Sequence, residues 1–209
     1  MGKSRIAAAL VDRLPYSFYE NNTLDMTAAL LGKYLVRQDG KRVWIGRIVE
    51  TEAYIGEDDA ACHASRGRTP RTKIMYGPPG YAYVYFTYGM HFMLNVVSAR
   101  ENLPAAILIR ALEPLSGFAS EDPRPASGPG KLCKSMRIDK SLNGISLQSS
   151  ELWIGTGSDS VPLEIRWSPR IGINVATDRI WRAYVYGNPF VSRRSNPLDP
   201  AIPWPQGDF

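Results

Sequence analysis

The stretch Tyr81-Ala82-Tyr83-Val84-Tyr85-Phe86-Thr87-Tyr88-Gly89-Met90-His91-Phe92-Met93-Leu94-Asn95 decides the fold. Rings and β-formers run up to Tyr88, Gly89 interrupts them, and a second apolar run follows. This reads as strand, turn and strand. A period of two puts Tyr81, Tyr83 and Tyr85 on one face and Val84 and Phe86 on the other. Gly77-Pro78-Pro79-Gly80 is a firm break ahead of it.

Working outward, Val43–Tyr54 reads as a strand, with Asp39-Gly40 before it as a hairpin signal. Ala105–Leu112 is an apolar, β-branched strand. Leu24, Ala28, Leu31 and Leu35 recur at helical spacing, which predicts a helix over Thr23–Val36 capped by Thr23 or Asp25. Gly56–Pro70 is a polar loop with room for a short helical turn. Pro129 starts a short helix over Gly130–Met136. Short strands are expected at Leu152–Ile154 and Leu163–Trp167; Ile171–Val175 follows, and Trp181–Tyr186 is the last strand. Strands outnumber helices and few helices lie between them. The expected fold is α+β: one domain over 1–209 with a curved, mostly antiparallel β-sheet, flanking helices and a protruding β-hairpin. Residues 1–22 and 195–209 read as extended or flexible.

The 209 residues are 44% hydrophobic, enough for one real core. No run approaches the ~20 apolar residues of a membrane span. Asp12 ends the N-terminal apolar run too early for a signal peptide. Two cysteines (Cys62, Cys133) and two histidines (His63, His91) give neither a disulfide framework nor a metal-ligand spacing. No metal or cofactor is expected, and the default compartment is a reducing cytosol or nucleoid. The net charge of +5 permits a polyanionic partner and equally fits a solvated surface. Arg66, Arg68, Arg71 and Lys73 fall in one loop with Gly67, Thr69 and Pro70. A basic loop beside rings suits phosphate tracking.

Alternation along Arg47–Tyr54 places Ile48, Glu50, Glu52 and Tyr54 on one face and Val49, Thr51, Ala53 and Ile55 on a core-like other. Solvent is the commoner fate of such acids. Arg110, however, lies in the apolar run Ile107–Leu112, where an unpaired cation is costly. Beside Glu50 or Glu52 it would keep an acid ionised, and an ionised acid is a general base. The ring set of Tyr54, His63, Tyr81, Tyr83, Tyr85 and Tyr88 reads as core or as a stacking surface for planar, cationic rings. Tyr88, just before Gly89, is placed to point outward like a wedge.

Several ordered segments carry a family likeness: Arg47–Tyr54, Ala61-Cys62-His63, Tyr83–Met90, Asn95, Leu108–Pro114, Ser127–Cys133 and Arg170-Ile171-Gly172-Ile173. From about Thr23 to Ser192 the chain resembles the alkyladenine (3-methyladenine) DNA glycosylases first described in mammals and also found in bacteria. The resemblance implies a monofunctional, monomeric enzyme acting on double-stranded DNA that contains damaged purines. It would flip the purine out and hydrolyse its N-glycosidic bond. Glu52 matches the general base, Arg110 the arginine that helps hold the water, and Ile171 the residue whose carbonyl is the water's third partner. Tyr54, His63 and Tyr85 match the residues around the flipped base. Asn95 matches the one that excludes the guanine 2-amino group. Tyr88 matches the intercalating wedge, with Met90 supporting it. Lys131 matches a phosphate contact, and Arg66 and Arg71 join it as expected backbone contacts. Phe92, Met93 and Leu94 depart from the mammalian hairpin, and the segment Ser116–Ala126 is shorter than in many relatives. Two other readings of the residues stand beside this one: a damaged-DNA-binding module without catalysis, and an unrelated hydrolase using Glu50 and Glu52 as a carboxylate pair.

Overall fold

The computed structural model describes residues 11–87, 89–119, 121–157, 162–193 and 196–201. In chain order it contains α1 (Thr23–Ala29), β1 (Tyr34–Asp39), β2 (Arg42–Ile55), β3 (Ala82–Thr87), β4 (His91–Val97), β5 (Ala105–Ser116), α2 (Pro129–Ser135), β6 (Leu152–Gly155), β7 (Ile165–Ser168) and β8 (Arg182–Val185). All pairings between these strands are antiparallel, in the order β3-β4-β5-β2-β1-β6. The fourteen-residue β2 organises the sheet. One edge pairs with β5 along most of its length. The other pairs first with β1 and then, over Glu50–Glu52, with β8, which also carries β7. The α+β class and the curved antiparallel sheet are as the sequence implies.

The helix expected over Thr23–Val36 is half that length. Asn22 caps α1 by accepting from the Leu24 N–H at 2.9 Å, and Asp25 suits the positive helix start. The helix ends at Ala29. Gly32 (φ +85°) then turns the chain, a conformation only glycine adopts freely. Leu35 and Val36 enter β1 and pair with Gly46 and Ile45. The place of Leu35 in the helical spacing is a coincidence: it is a buried strand position, paired with Gly46 of β2. The Asp39-Gly40 hairpin forms as the sequence suggests, with Asp39 opposite Arg42. Ile171–Val175 is a loop, and the chain before it docks through β7.

Alternation on β3 sorts the two sides of the sheet. Val84 joins the main core with Ile48, Val49, Leu94, Ile107 and Leu112, covered by Met26 of α1 and Leu132 of α2. Burying each of the larger aliphatic chains contributes about 1.5–3 kcal/mol. Tyr83 goes to the other side, into a smaller cluster with Cys62, Met75 and Ala106, bordered by Tyr54, Tyr81 and Tyr85. At both chain ends, segments dock on sheet edges. Arg13 bridges to Gly155, and the Trp167 N–H donates to Pro200 O at 2.8 Å.

Gly117 closes β5 against the start of β2 with φ +83°, and a Cβ there would overlap the Val43 carbonyl oxygen. Gly117→Ala is therefore expected to lower stability by more than about 1 kcal/mol, because strain and overlap add. Urea unfolding monitored by tryptophan fluorescence reads this directly; an unchanged midpoint would contradict it.

Candidate active site

Bulges in β2 bring the acids inside. The register against β5 shifts between Ile48 and Glu50 and again between Glu50 and Thr51. Strict alternation is lost there: Ile48 and Val49 both enter the main core, and Glu50 and Glu52 are both fully buried. The solvent-facing fate usual for strand acids does not apply. Two buried carboxylates need partners, and they share one. Arg110 of β5 donates from Nε to Glu50 at 3.1 Å and from Nη1 to Glu52 at 3.1 Å.

The remaining partners distinguish the two acids. Glu50 also accepts from Arg182 Nε (2.7 Å), the Ser192 N–H (2.6 Å) and Ser192 Oγ (2.8 Å). Burial opposes its charge, but Arg182 and Arg110 outweigh burial, and its carboxyl lies below the ordinary value. Glu52 accepts from the Ile171 N–H (2.7 Å) and the Tyr54 hydroxyl (3.0 Å). Burial pushes its carboxyl above the ordinary value of 4.5, against the pull of Arg110 and the Ile171 amide, and the Glu50 charge adds to the rise. Arg110 meets both acids, as the sequence reading allowed, but at Glu52 desolvation outweighs its pull because the acid is fully enclosed. Ile171 meets Glu52 through its N–H, an interaction the sequence reading did not contain.

Tyr54, Arg110 and Ile171, all bonded to Glu52, also line a cleft of about 320 Å³. His63, Tyr83, Tyr85, Asn95 and Leu108 line it too. That is the lower end of the size range for small-ligand sites. His63 opens a 3-10 turn at His63–Arg66, formed in the polar loop as the sequence suggests. Its ring lies edge-on to Tyr85 at 4.5 Å, and its Nδ1 is 2.9 Å from the Tyr83 hydroxyl. Burial, with Arg71 and Arg66 nearby, pulls the imidazole down to about 4, so it is neutral at pH 7. Asn95 is buried and donates to Tyr83 O at 3.0 Å.

The expected DNA contacts among the described residues are exposed side chains. Arg66 and Arg71 are exposed, and the Arg71 guanidinium lies 5.1 Å from the Tyr85 ring centre. Met90 is 69% exposed at the hairpin turn. Tyr88 lies outside the described residues. Lys131 is exposed on α2 and paired with Asp122 at 3.2 Å.

One part of the site was missed in the sequence. Arg170 grips Asp59 with two arms, at 2.5 and 2.8 Å, and both side chains are fully buried. The same guanidinium donates to Ala53 O at 3.0 Å and lies 4.7 Å from the Tyr54 ring centre and 5.1 Å from that of Trp181. It joins β2, the loop that carries His63 and the loop that carries Ile171. The partners are 111 positions apart, so no local pattern marks them. The only hint was the Arg170–Ile173 segment within the family likeness.

The site is thus a fully buried glutamate bonded to three residues that line a ring-rich cleft, with the exposed Arg71 beside one of the rings. The chain belongs to the methylpurine-DNA glycosylase family, whose sequence profile matches residues 17–189. It is 46% identical over 184 residues to a protein of Legionella pneumophila, covering 87% of this chain and 98% of that one. It is 47% identical over 196 residues to one from Methanocella arvoryzae, covering 87% and 96%. It is 44% identical over 189 residues to one from Chlorobaculum parvum, covering 86% and 90%. Each of the three bears the name "Putative 3-methyladenine DNA glycosylase". The enzyme class is monofunctional DNA glycosylase, with a role in DNA repair. Among the described residues, no helix is long and apolar enough to cross a membrane.

Proposed function

We propose that this enzyme flips alkylated or deaminated purines out of duplex DNA and hydrolyses the N-glycosidic bond, leaving an abasic site. The observation that carries the reading is Glu52: a fully buried carboxylate whose bonding partners Tyr54, Arg110 and Ile171 also line the cleft. A carboxyl raised above its ordinary value accepts a proton more readily than a surface glutamate does. In the reaction, Glu52 takes a proton from water as the water oxygen bonds to C1′. The C1′–N bond breaks and its electron pair leaves with the base. A purine already cationic by alkylation departs neutral and needs no acid; a deaminated purine needs a proton at the ring.

The other roles follow the family likeness and the placement of each side chain. Arg110 and the Ile171 carbonyl help hold the water. Tyr54, Tyr85 and the neutral His63 sandwich the base, and an uncharged imidazole does not repel a cationic one. Asn95 excludes the guanine 2-amino group. Arg66, Arg71 and Lys131 contact phosphates, Lys131 after release from Asp122. Met90 supports the wedge, and Tyr88 as the wedge rests on the likeness alone. The enzyme works as a monomer in the cytoplasm or nucleoid. Its energetic demand is modest, because unstacking is cheapest at a damaged or mispaired base.

The test is an excision assay on duplexes carrying 3-methyladenine, 7-methylguanine, hypoxanthine or ethenoadenine. Release of free base, with strand cleavage only after alkali, is the expected result. Tight lesion binding without release would favour the binding-module reading. A borohydride-trapped covalent complex would sink the direct attack by water.

A further inference from the structure

Glu50 has a density of partners that a purely local structural role does not require. Of its four donors, two are guanidinium groups; of the three donors to Glu52, one is. Arg182 is the β8 residue in register with Glu52, yet its Nε goes to Glu50 and its Nη1 to Ser168 Oγ at 2.7 Å. The positive charge of this buried cluster is thus drawn to the acid two residues from the one beside the cleft.

We infer that Glu50 is a positioning residue for Glu52: by engaging Arg182 and one edge of Arg110, it keeps both guanidinium groups from closing on Glu52. A carboxylate held wholly by arginine is a weak base, because the pair favours its charged form. A carboxylate given a single guanidinium contact and two neutral donors stays ionisable and can still take a proton. Glu50 also contributes its own like charge, which pushes the Glu52 carboxyl up. The inference rests on the proposed role of Glu52 as the base.

The groups that face Glu52 are few. They are Glu50 and Tyr54 from β2, Arg110 from β5, Arg182 from β8, and the Ile171 N–H, with Arg170 behind the Tyr54 ring and Tyr85 beyond it. Among the charged side chains of the described residues that act most on Glu52, Glu50 is the one that opposes its charge. Removing it and removing Arg182 should therefore act in opposite directions, which a merely structural role would not do.

The experiment is a carbon-13 NMR titration of glutamate-labelled free protein, with the Glu52 carboxyl assigned by its loss in Glu52→Gln. Wild type is expected to titrate above 4.5. Glu50→Gln should move the Glu52 midpoint down, by about one pH unit or more, the scale of losing one nearby like charge. Arg182→Gln should move it up, because Arg110 then turns toward Glu50. The acid limb of the excision rate should follow both shifts. A folded Glu50→Gln with the Glu52 titration unmoved overturns the inference. If Glu50→Gln does not fold, Arg182→Gln decides: an upward shift supports the inference, and none or a downward one overturns it. The titration needs no DNA, so an inactive wild type would defeat the proposed function without touching this result.

Discussion

Glu52→Gln is expected to leave a folded protein that still binds lesion-bearing duplex but excises at least about 100-fold more slowly, the lower bound for losing a general base. The amide cannot take a proton from water at neutral pH. The fold should persist because Arg110 keeps Glu50 as its counter-ion at 3.1 Å, so no buried cation is stranded. The amide nitrogen has one awkward placement: it must face either the Ile171 N–H or the Arg110 and Tyr54 donors. Tyr54 can rotate its hydroxyl to accept; the other two cannot. A fall of about 1–3 kcal/mol in stability is therefore expected as well, the cost of one unsatisfied buried group. Single-turnover excision and gel-shift binding separate the two effects. Undiminished excision would remove Glu52 from the reaction.

Asp59→Ala should produce the largest loss of stability, about 3–5 kcal/mol, because it strands the buried Arg170. Asp59 takes both arms of that guanidinium and also accepts the Ala61 N–H at 3.2 Å. The total stability of such a domain is about 5–15 kcal/mol, so the loss is a large share of it. Cation–π contact with Tyr54 and Trp181 is already made in the wild type and so does not replace the lost carboxylate. Guanidinium chloride unfolding measures the difference. A loss below about 1 kcal/mol would mean that Arg170 finds water or another acid. Arg179, 3.8 Å from Asp59, should buffer none of it, being a cation itself.

The parts legible in the sequence were those with a local period. Tyr83 and Tyr85 against Val84 on β3, the Gly77–Gly80 break and the Asp39-Gly40 hairpin each declare themselves within a few residues. The helix over Thr23–Val36 overran because Leu31 and Leu35 fit a helical stripe and Gly32 was given no weight as a stop. The burial of Glu50 and Glu52 was hidden because register shifts against β5 depend on the partner strand. Arg110 was the exception, a lone cation in an apolar strand that announced a buried acid before any contact was known. The Asp59–Arg170 pair and the Ile171 amide on Glu52 are long-range contacts between loops, with no repeat or spacing to expose them.

The crowded pairing of β2 has a mechanical consequence. Glu52 stands opposite Leu108 on one edge and Arg182 on the other, so its backbone is locked from both sides at the junction of three strands. Such a position opens only with the whole sheet. The acid cannot reach out toward a base stacked in a duplex, and nothing in its strand hinges. In the proposed reaction all the travel therefore falls to the nucleotide, which must rotate to a fixed point. On that reading the molecule is a stationary anvil, with the acid's position set before the substrate arrives.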